Sequence, residues 1–237
     1  MDFSKLGRIG AKAHWLKYHN PIKEHINRNH KNLLREKARL IGFVMGDGSI
    51  SQYKHNDISF YPDDIKMANI FLADFKKLYL KQPLLRNKGA YYALRVSSKP
   101  ACDDLKSIAK YSSLTWKFPK TLKSTEEKIE WLRAIFDCEA HVSNKNIRIE
   151  SVSKAGINSV KKALMEFNID SKSYKYIRKN KKWNINYILI ISKAENIKRY
   201  AELIGFNHQK KSVKLLSLPA CQSGYWDGLE NRVRKDV

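Results

Sequence analysis

Two stretches of the chain are apolar along most of their length and then end on small and acidic residues. Arg39–Ile50 reads RLIGFVMGDGSI, and Trp131–Val142 reads WLRAIFDCEAHV. Each predicts an apolar helix, about Leu33–Met45 and about Glu126–Asp137. The second has a defined start, because Ser124-Thr-Glu-Glu127 fits a capping box. After each helix the pattern predicts two strands, near Ser49–Tyr53 with Asp57–Tyr61, and near His141–Ser143 with Asn146–Val152. A helix follows, about Asp63–Leu80 and about Ala155–Phe167. Two more strands come next, near Leu84–Asn87 with Tyr91–Ser97, and near Ser173–Arg178 with Trp183–Ile191. A last helix closes each series, about Pro100–Tyr111 and about Lys193–Ile204.

The two series are a tandem repeat. The acids Asp47 and Glu139 stand at matching places, and Tyr92 to Lys99 (YALRVSSK) matches Tyr187 to Lys193 (YILIISK) at nearly the same offset. The chain therefore divides into an arm, 1–30, two repeats, 31–120 and 121–216, and a tail, 217–237. Alternation identifies the wet faces of the strands. Ile147 and Ile149 point one way, and Asn146, Arg148 and Glu150 the other; Leu94 and Val96 oppose Arg95. Sheets of this kind cover helices on one face and show a polar, basic face outside. Strands can carry such a face into a DNA groove.

Charge bears on the partner. The 237 residues carry 46 Lys+Arg against 23 Asp+Glu, a formal net charge of +23, which points to a polyanion. Charge alone does not separate DNA from RNA, or an enzyme from a binder. At 43% hydrophobic residues the chain can build a core, yet no run is long enough for a membrane span. Met1 to Lys12 lacks the apolar stretch of a signal peptide, so a cytoplasmic, nucleoid-associated protein with no membrane partner is expected. Cys102, Cys138 and Cys221 form no CxxC pair, which disfavours a disulfide framework or a zinc site. The histidines show neither HxxxH nor HExxH spacing.

The two apolar helices also carry candidate chemistry. Gly42 and Gly46 are four apart and share a helix face, with Ala134 and Cys138 at the matching places. Small residues there let two helices approach closely. Asp47 and Glu139 then fall at helix C-termini, against the negative ends of the dipoles and near each other. A divalent cation relieves both problems. Oxygen ligands suit Mg²⁺, which keeps several waters and takes oxygens from phosphates; Mn²⁺ or Ca²⁺ can substitute for binding.

At these residues the sequence resembles the LAGLIDADG homing endonucleases of the monomeric double-motif type. LIGFVMGDG and LRAIFDCEA look like the paired motifs, and the layout is similar to archaeal intron-encoded members. The resemblance covers about Lys31 to Leu216. It implies an α+β fold in which two tandem αββαββα units form a pseudo-two-fold saddle, with antiparallel sheets over packed helices. It implies that Asp47 and Glu139 bind the metal, helped by the carbonyls of Gly46 and Cys138. It further implies that one chain straddles double-stranded DNA, cuts both strands across the minor groove and leaves short 3′ overhangs.

A basic residue beside the scissile phosphate is also implied. Lys210 matches such a position in the second repeat, Lys117 is a rough counterpart in the first, and Lys154 is a further candidate. Arg95, Arg148, Asn146, Glu150, Gln52, Tyr176, Arg178, Lys99 and Lys193 complete the expected DNA contacts. The sequence departs from the motif at Ala140, where glycine is usual and a Cβ is expected to crowd a turn, and at Met45, which replaces the first acid. The arm carries Lys5, Arg8, Lys12, Lys17, Lys23 and Arg28. It reads either as a grip on DNA phosphates or as a basic, flexible terminus, with Gly7 and Gly10 favouring flexibility. Two other functions stay open: a maturase that binds its host intron RNA, and a DNA-binding protein that does not cut.

Overall fold

The computed structural model describes residues 3–29, 31–53, 55–177 and 184–222. Helices α2 (Leu34–Asp47) and α5 (Thr125–Glu139) lie side by side at its centre. Their sequences explain the position. Leu40, Ile41, Phe43 and Val44 of α2, and Trp131, Leu132, Ile135 and Phe136 of α5, point to different sides of their helices and are all buried. A helix apolar all round belongs in a core. The capping box of α5 forms as expected, with the Glu127 N–H donating to Ser124 Oγ at 3.2 Å and the Ser124 N–H to Glu127 Oε2 at 2.8 Å.

The seam between the two helices is set by small residues. A Cβ added at Gly42 would lie 2.6 Å from Ala134 Cβ and 3.0 Å from the Trp131 carbonyl oxygen. In an exposed helix, glycine to alanine stabilises by about 1 kcal/mol. Here the sign reverses, because the neighbours are another Cβ and a backbone oxygen that cannot turn aside. Gly42→Ala is expected to destabilise by about 1–3 kcal/mol, read as a lower urea midpoint. An unchanged or higher midpoint would show that the helices separate freely.

Each central helix runs directly into a sheet. In the first half, β1 (Gly48–Ser51), β2 (Asp57–Phe60), β3 (Leu84–Asn87) and β4 (Tyr92–Ser97) pair in the order β1-β2-β4-β3. In the second, β5 (Ala140–Val142), β6 (Ile147–Ser151), β7 (Lys172–Tyr176) and β8 (Asn186–Ile191) pair as β5-β6-β8-β7. All six pairings are antiparallel. The alternation read from the sequence holds: Leu94, Val96, Ile147 and Ile149 are buried, while Arg95 and Arg148 are exposed. Helices α3 (Ile65–Tyr79), α4 (Lys99–Ile108), α6 (Lys154–Glu166) and α7 (Ala194–Leu203) complete the repeated αββαββα order.

Three elements depart from expectation. The basic arm is not flexible at Gly7 and Gly10 but forms a helix, α1 (Phe3–Asn29), anchored by Ile22 and Ile26 against the core. Its His25 Nε2 lies 2.8 Å from the Lys77 carbonyl oxygen. Beyond α7 come two short helices, α8 (Gln209–Leu216) and α9 (Pro219–Gln222). The predicted strand ends Arg178 and Trp183 lie outside the described residues. No helix of the described residues is long and apolar enough to cross a membrane.

The halves are also joined by polar contacts. Arg39 on α2 forks onto Asp74 of α3, with Nε–Oδ2 at 2.7 Å and Nη2–Oδ1 at 2.9 Å, and reaches Glu130 of α5 at 2.7 Å. Each half then docks its closing segment on the other. The Trp116 indole N–H donates to Ser151 Oγ at 3.0 Å, and Ser153 Oγ donates to the Trp116 carbonyl at 2.8 Å. In the mirror arrangement, the Gln209 N–H donates to Asp64 Oδ2 at 2.8 Å.

Candidate active site and nucleic-acid interface

Asp47 and Glu139 are the last residues of α2 and α5. Beside them the helices are at their closest. A Cβ on Gly46 would lie 2.4 Å from Cys138 Cβ and 2.8 Å from its sulfur, so only glycine allows this approach. The approach brings the two carboxylates within electrostatic reach of each other. Burial and then the charge of Asp47 push Glu139 up to about 7, against the pull of Lys211. Burial also raises Asp47, with Asp63 adding to it; a hydrogen bond from the Cys138 thiol, Lys211 and His208 act the other way. Glu139 keeps an exposed edge, through which a phosphate or water can reach it.

Two carboxylates that repel each other at close quarters ask for a cation. Among the described residues, no group of three or more His, Cys, Asp or Glu side chains is placed to hold a metal ion. A metal here would have only the two carboxylates and backbone carbonyls from the protein. That donor set is all oxygen and incomplete, which fits Mg²⁺ with waters and phosphate oxygens.

The lysine nearest this pair is Lys211, not Lys210. Its Nζ donates to the carbonyl oxygens of Asp137 at 2.5 Å and Cys138 at 3.1 Å. Successive helical residues diverge by about 100°, so Lys211 faces inward while Lys210 is exposed. The phase of α8 is fixed by His208 at its N-cap. His208 is buried; its backbone N–H donates to Asp137 Oδ1 at 3.0 Å and its Nε2 lies 3.1 Å from Asp63 Oδ1. Asp137, two residues before the motif acid, also accepts from the Asn207 backbone at 2.8 Å and side chain at 3.0 Å. The motif's first acid thus clamps the segment that delivers Lys211. The sequence offered no sign of this clamp, since its partners are 70 residues apart.

Lys117 is also away from the pair. It is exposed and lines a cleft along α6 with Asn158, Ser159 and Lys162. Phe118 packs on Trp131 with ring centroids 4.9 Å apart, so an aromatic ring fills this side of the first half's closing segment. Ala140 does not crowd its turn. Its backbone is extended, φ −82 and ψ 141, and its N–H donates to the Phe136 carbonyl. At Gly48, by contrast, a Cβ would meet Val44 Cα at 2.6 Å and the Ser59 carbonyl oxygen at 2.8 Å. Glycine is therefore required in the first motif and dispensable in the second.

The expected DNA contacts fall into two groups. Arg95, Arg148, Glu150 and Tyr176 stand on the outer sheet faces, three of them already in polar contacts. Arg95 donates to Asp57, which also accepts from Ser97. Arg148 lies 3.1 Å from Glu150, which accepts from Asn186 at 2.6 Å. Asn146, Lys154, Gln52, Lys99 and Lys193 lie at strand and helix ends. Gln52 is tied to Asp103 and Lys106 of α4, Lys99 pairs with Asp103 at 3.2 Å, and Lys193 is the N-cap of α7. Arg178 lies outside the described residues.

The family model of the LAGLIDADG-like domain matches residues 126–205. Over 73% of this chain and 97% of the other, the fold superimposes on a structure of I-DmoI in complex with DNA and Mn, with a TM-score of 0.56 and 20% identity. It also matches full-length DUF199/WhiA from Thermatoga maritima, at TM-score 0.53 and 16% identity, over 84% of this chain and 66% of that one. Among curated proteins, the replication factor C small subunit of Methanocaldococcus jannaschii is 26% identical over 80% of this chain. The glutamine–fructose-6-phosphate aminotransferase of the same organism is 27% identical over 84%. The chain spans only 10% and 18% of those two proteins.

Proposed function

We propose that this chain, with a LAGLIDADG-like domain and the double-motif LAGLIDADG fold throughout, is a site-specific DNA endonuclease that makes a metal-dependent double-strand break. The observation that carries the reading is the pair Asp47 and Glu139, brought together at the ends of two helices that close on each other at Gly46 and Cys138, with each carboxyl raised in pKa by its surroundings. Apposed acids of this kind do not serve nucleic-acid binding, which they oppose electrostatically. They serve a cation. Because DUF199/WhiA shares the fold, the fold does not select cleavage over binding; the acid pair does. No observation favours the RNA maturase reading over it.

Asp47 and Glu139 would hold Mg²⁺, with the Gly46 and Cys138 carbonyls as the adjacent oxygens. When bound, the ion supplies Lewis-acid stabilisation of the phosphate and a more acidic water. The rigid helix pair fixes where the scissile phosphate must sit. Lys211, released from the carbonyls it now satisfies, provides a positive charge to that phosphate. Lys211→Met is expected to slow cleavage by about 10²–10³-fold, the usual effect of removing one such donor. Duplex affinity should change little. A gel assay of both strands reads this, and equal rates for wild type and variant would remove Lys211 from the chemistry.

The curated relatives bear on biological context. Replication factor C and the aminotransferase are named for unrelated activities, yet each contains a stretch similar to most of this chain. A segment shared by unrelated hosts is carried by them rather than part of their work, which suits a mobile endonuclease. Genomic DNA incubated with the protein and Mg²⁺ tests the function. A few fixed break sites with short 3′ overhangs are expected, lost on chelation. Binding without breaks in either Mg²⁺ or Mn²⁺ would sink the enzyme and leave the regulator; stimulated intron splicing would indicate the maturase.

A further inference from the structure

Helix α1 is longer than its anchorage. At about 1.5 Å per residue its 27 residues span about 40 Å. Ile22 and Ile26 pack on the core and His25 bonds to α3, all in its last third. Of the earlier residues whose exposure is described, Gly10, Ala13, Leu16, Lys17 and Tyr18 are exposed, and a Cβ at Gly10 would meet nothing within 4 Å. Pro21 inside the helix cannot donate the hydrogen bond that would tie the two parts firmly.

Its charge indicates what it packs on. From Phe3 to Lys23 there is no Asp or Glu, but there are Lys5, Arg8, Lys12, Lys17 and Lys23. Helix stability alone would favour acids in the first turn, and the first turn has none. Positions 5, 8, 12 and 19 follow the spacing of one helical face. Position 19 marks where this face meets the body. His19 lines a cleft of about 440 Å³ with His55, Lys81 and Lys99, and none of its lining residues is acidic. The basic positions of α1 therefore continue into a basic cleft.

The cleft lies at the far end of the first sheet from the acids. Gly48, next to Asp47, pairs with Phe60, while Ser51 pairs with Asp57 and leads to the turn that carries His55. At about 3.3 Å per strand residue, that turn is roughly 15–20 Å from the acid pair.

Resting on the reading of the chain as a DNA-binding protein, we infer that α1 is a phosphate-tracking extension that lengthens the DNA footprint on the first-repeat side only. The roughly 20 Å from Phe3 to Lys17 corresponds to about six base pairs at 3.4 Å each. The extension adds affinity without reading bases, since phosphate contacts carry no sequence information.

The test uses the full chain and its Lys5→Gln/Arg8→Gln/Lys12→Gln variant, which keeps good helix formers at all three positions. Binding is measured by fluorescence anisotropy on random-sequence duplexes of about 40 and about 16 base pairs, from 50 to 200 mM salt. Three lost phosphate contacts lower the slope of log K against log salt by about 2.7 on the long duplex. The wild-type advantage there should fall about 40-fold across the series. On the short duplex the two proteins should bind alike. Equal slopes on the long duplex overturn the inference. An effect confined to a 40-nucleotide RNA stem-loop overturns DNA as the occupant. No binding by either protein to any duplex overturns the underlying reading, and the inference with it.

Discussion

Asp47→Asn and Glu139→Gln are each expected to abolish double-strand cleavage, by about 10³-fold or more, while duplex affinity stays within a few-fold of wild type. The size follows from the proposed role of each carboxylate, holding a cation that would be worth several kcal/mol to the reaction. The separation of effects follows from geometry. Both acids sit at the floor between the sheets, whereas the basic side chains that attract DNA stand on the outer sheet faces and strand ends. Binding should even tighten slightly in metal-free buffer, because one of two acids facing the phosphates has become neutral. The measurements are a supercoiled-plasmid or genomic cleavage assay with Mg²⁺ and an equilibrium titration without it. Full cutting by the double variant would falsify the assignment of the site.

Arg39→Met is expected to destabilise the fold by about 3–5 kcal/mol without touching the acids of the site. Arg39 is 19% exposed at its side chain, and its partners Asp74 and Glu130 only 6% and 3%. Burial opposes the guanidinium charge, but Asp74 and Glu130 hold its pKa above the ordinary value. Burial also pushes Asp74 upward, and Arg39 is what counters that. Remove the arginine and two buried carboxylates remain, with Arg133 on Glu130 as a partial substitute at 2.6 Å. In the variant the folded pKa of Asp74 stands further above its unfolded one. The deficit is then largest at neutral pH and shrinks as the pH falls and Asp74 takes up a proton. Urea titrations at pH 7 and pH 5 read both effects. A variant as stable as wild type at pH 7 would show that the network is dispensable.

The helix pair and both acids were legible because their signals are local and doubled. An apolar helix ending in a small residue and an acid is ordinary once; twice in register, in a chain of net charge +23, it identifies a seam. The strand faces were legible for the same reason, since period-two alternation needs no knowledge of distant residues. The start of α5 was also local: Ser124 and Glu127 satisfy each other's backbone within one turn.

The misplacements were all of the opposite kind. Choosing Lys210 over Lys211 turns on the rotation of α8, which is set by Asp137 gripping Asn207 and His208 from the other end of the repeat. The expected crowding at Ala140 turned on backbone angles, and these proved extended, φ −82 and ψ 141. The flexible reading of the arm rested on Gly7 and Gly10, yet both lie within the continuous helix α1.

The sequence by itself determined the repeat, the order of elements, the wet faces and the two acids, because each depends on spacings of a few residues. Tertiary packing alone settles which lysine lies beside the acids, which polar groups lock the halves together, and that the arm at the chain's start is helical with a basic cleft near its base. Those outcomes depend on contacts between residues tens of positions apart. Contacts of that kind are selected by packing of the whole chain, and a local pattern carries no record of them.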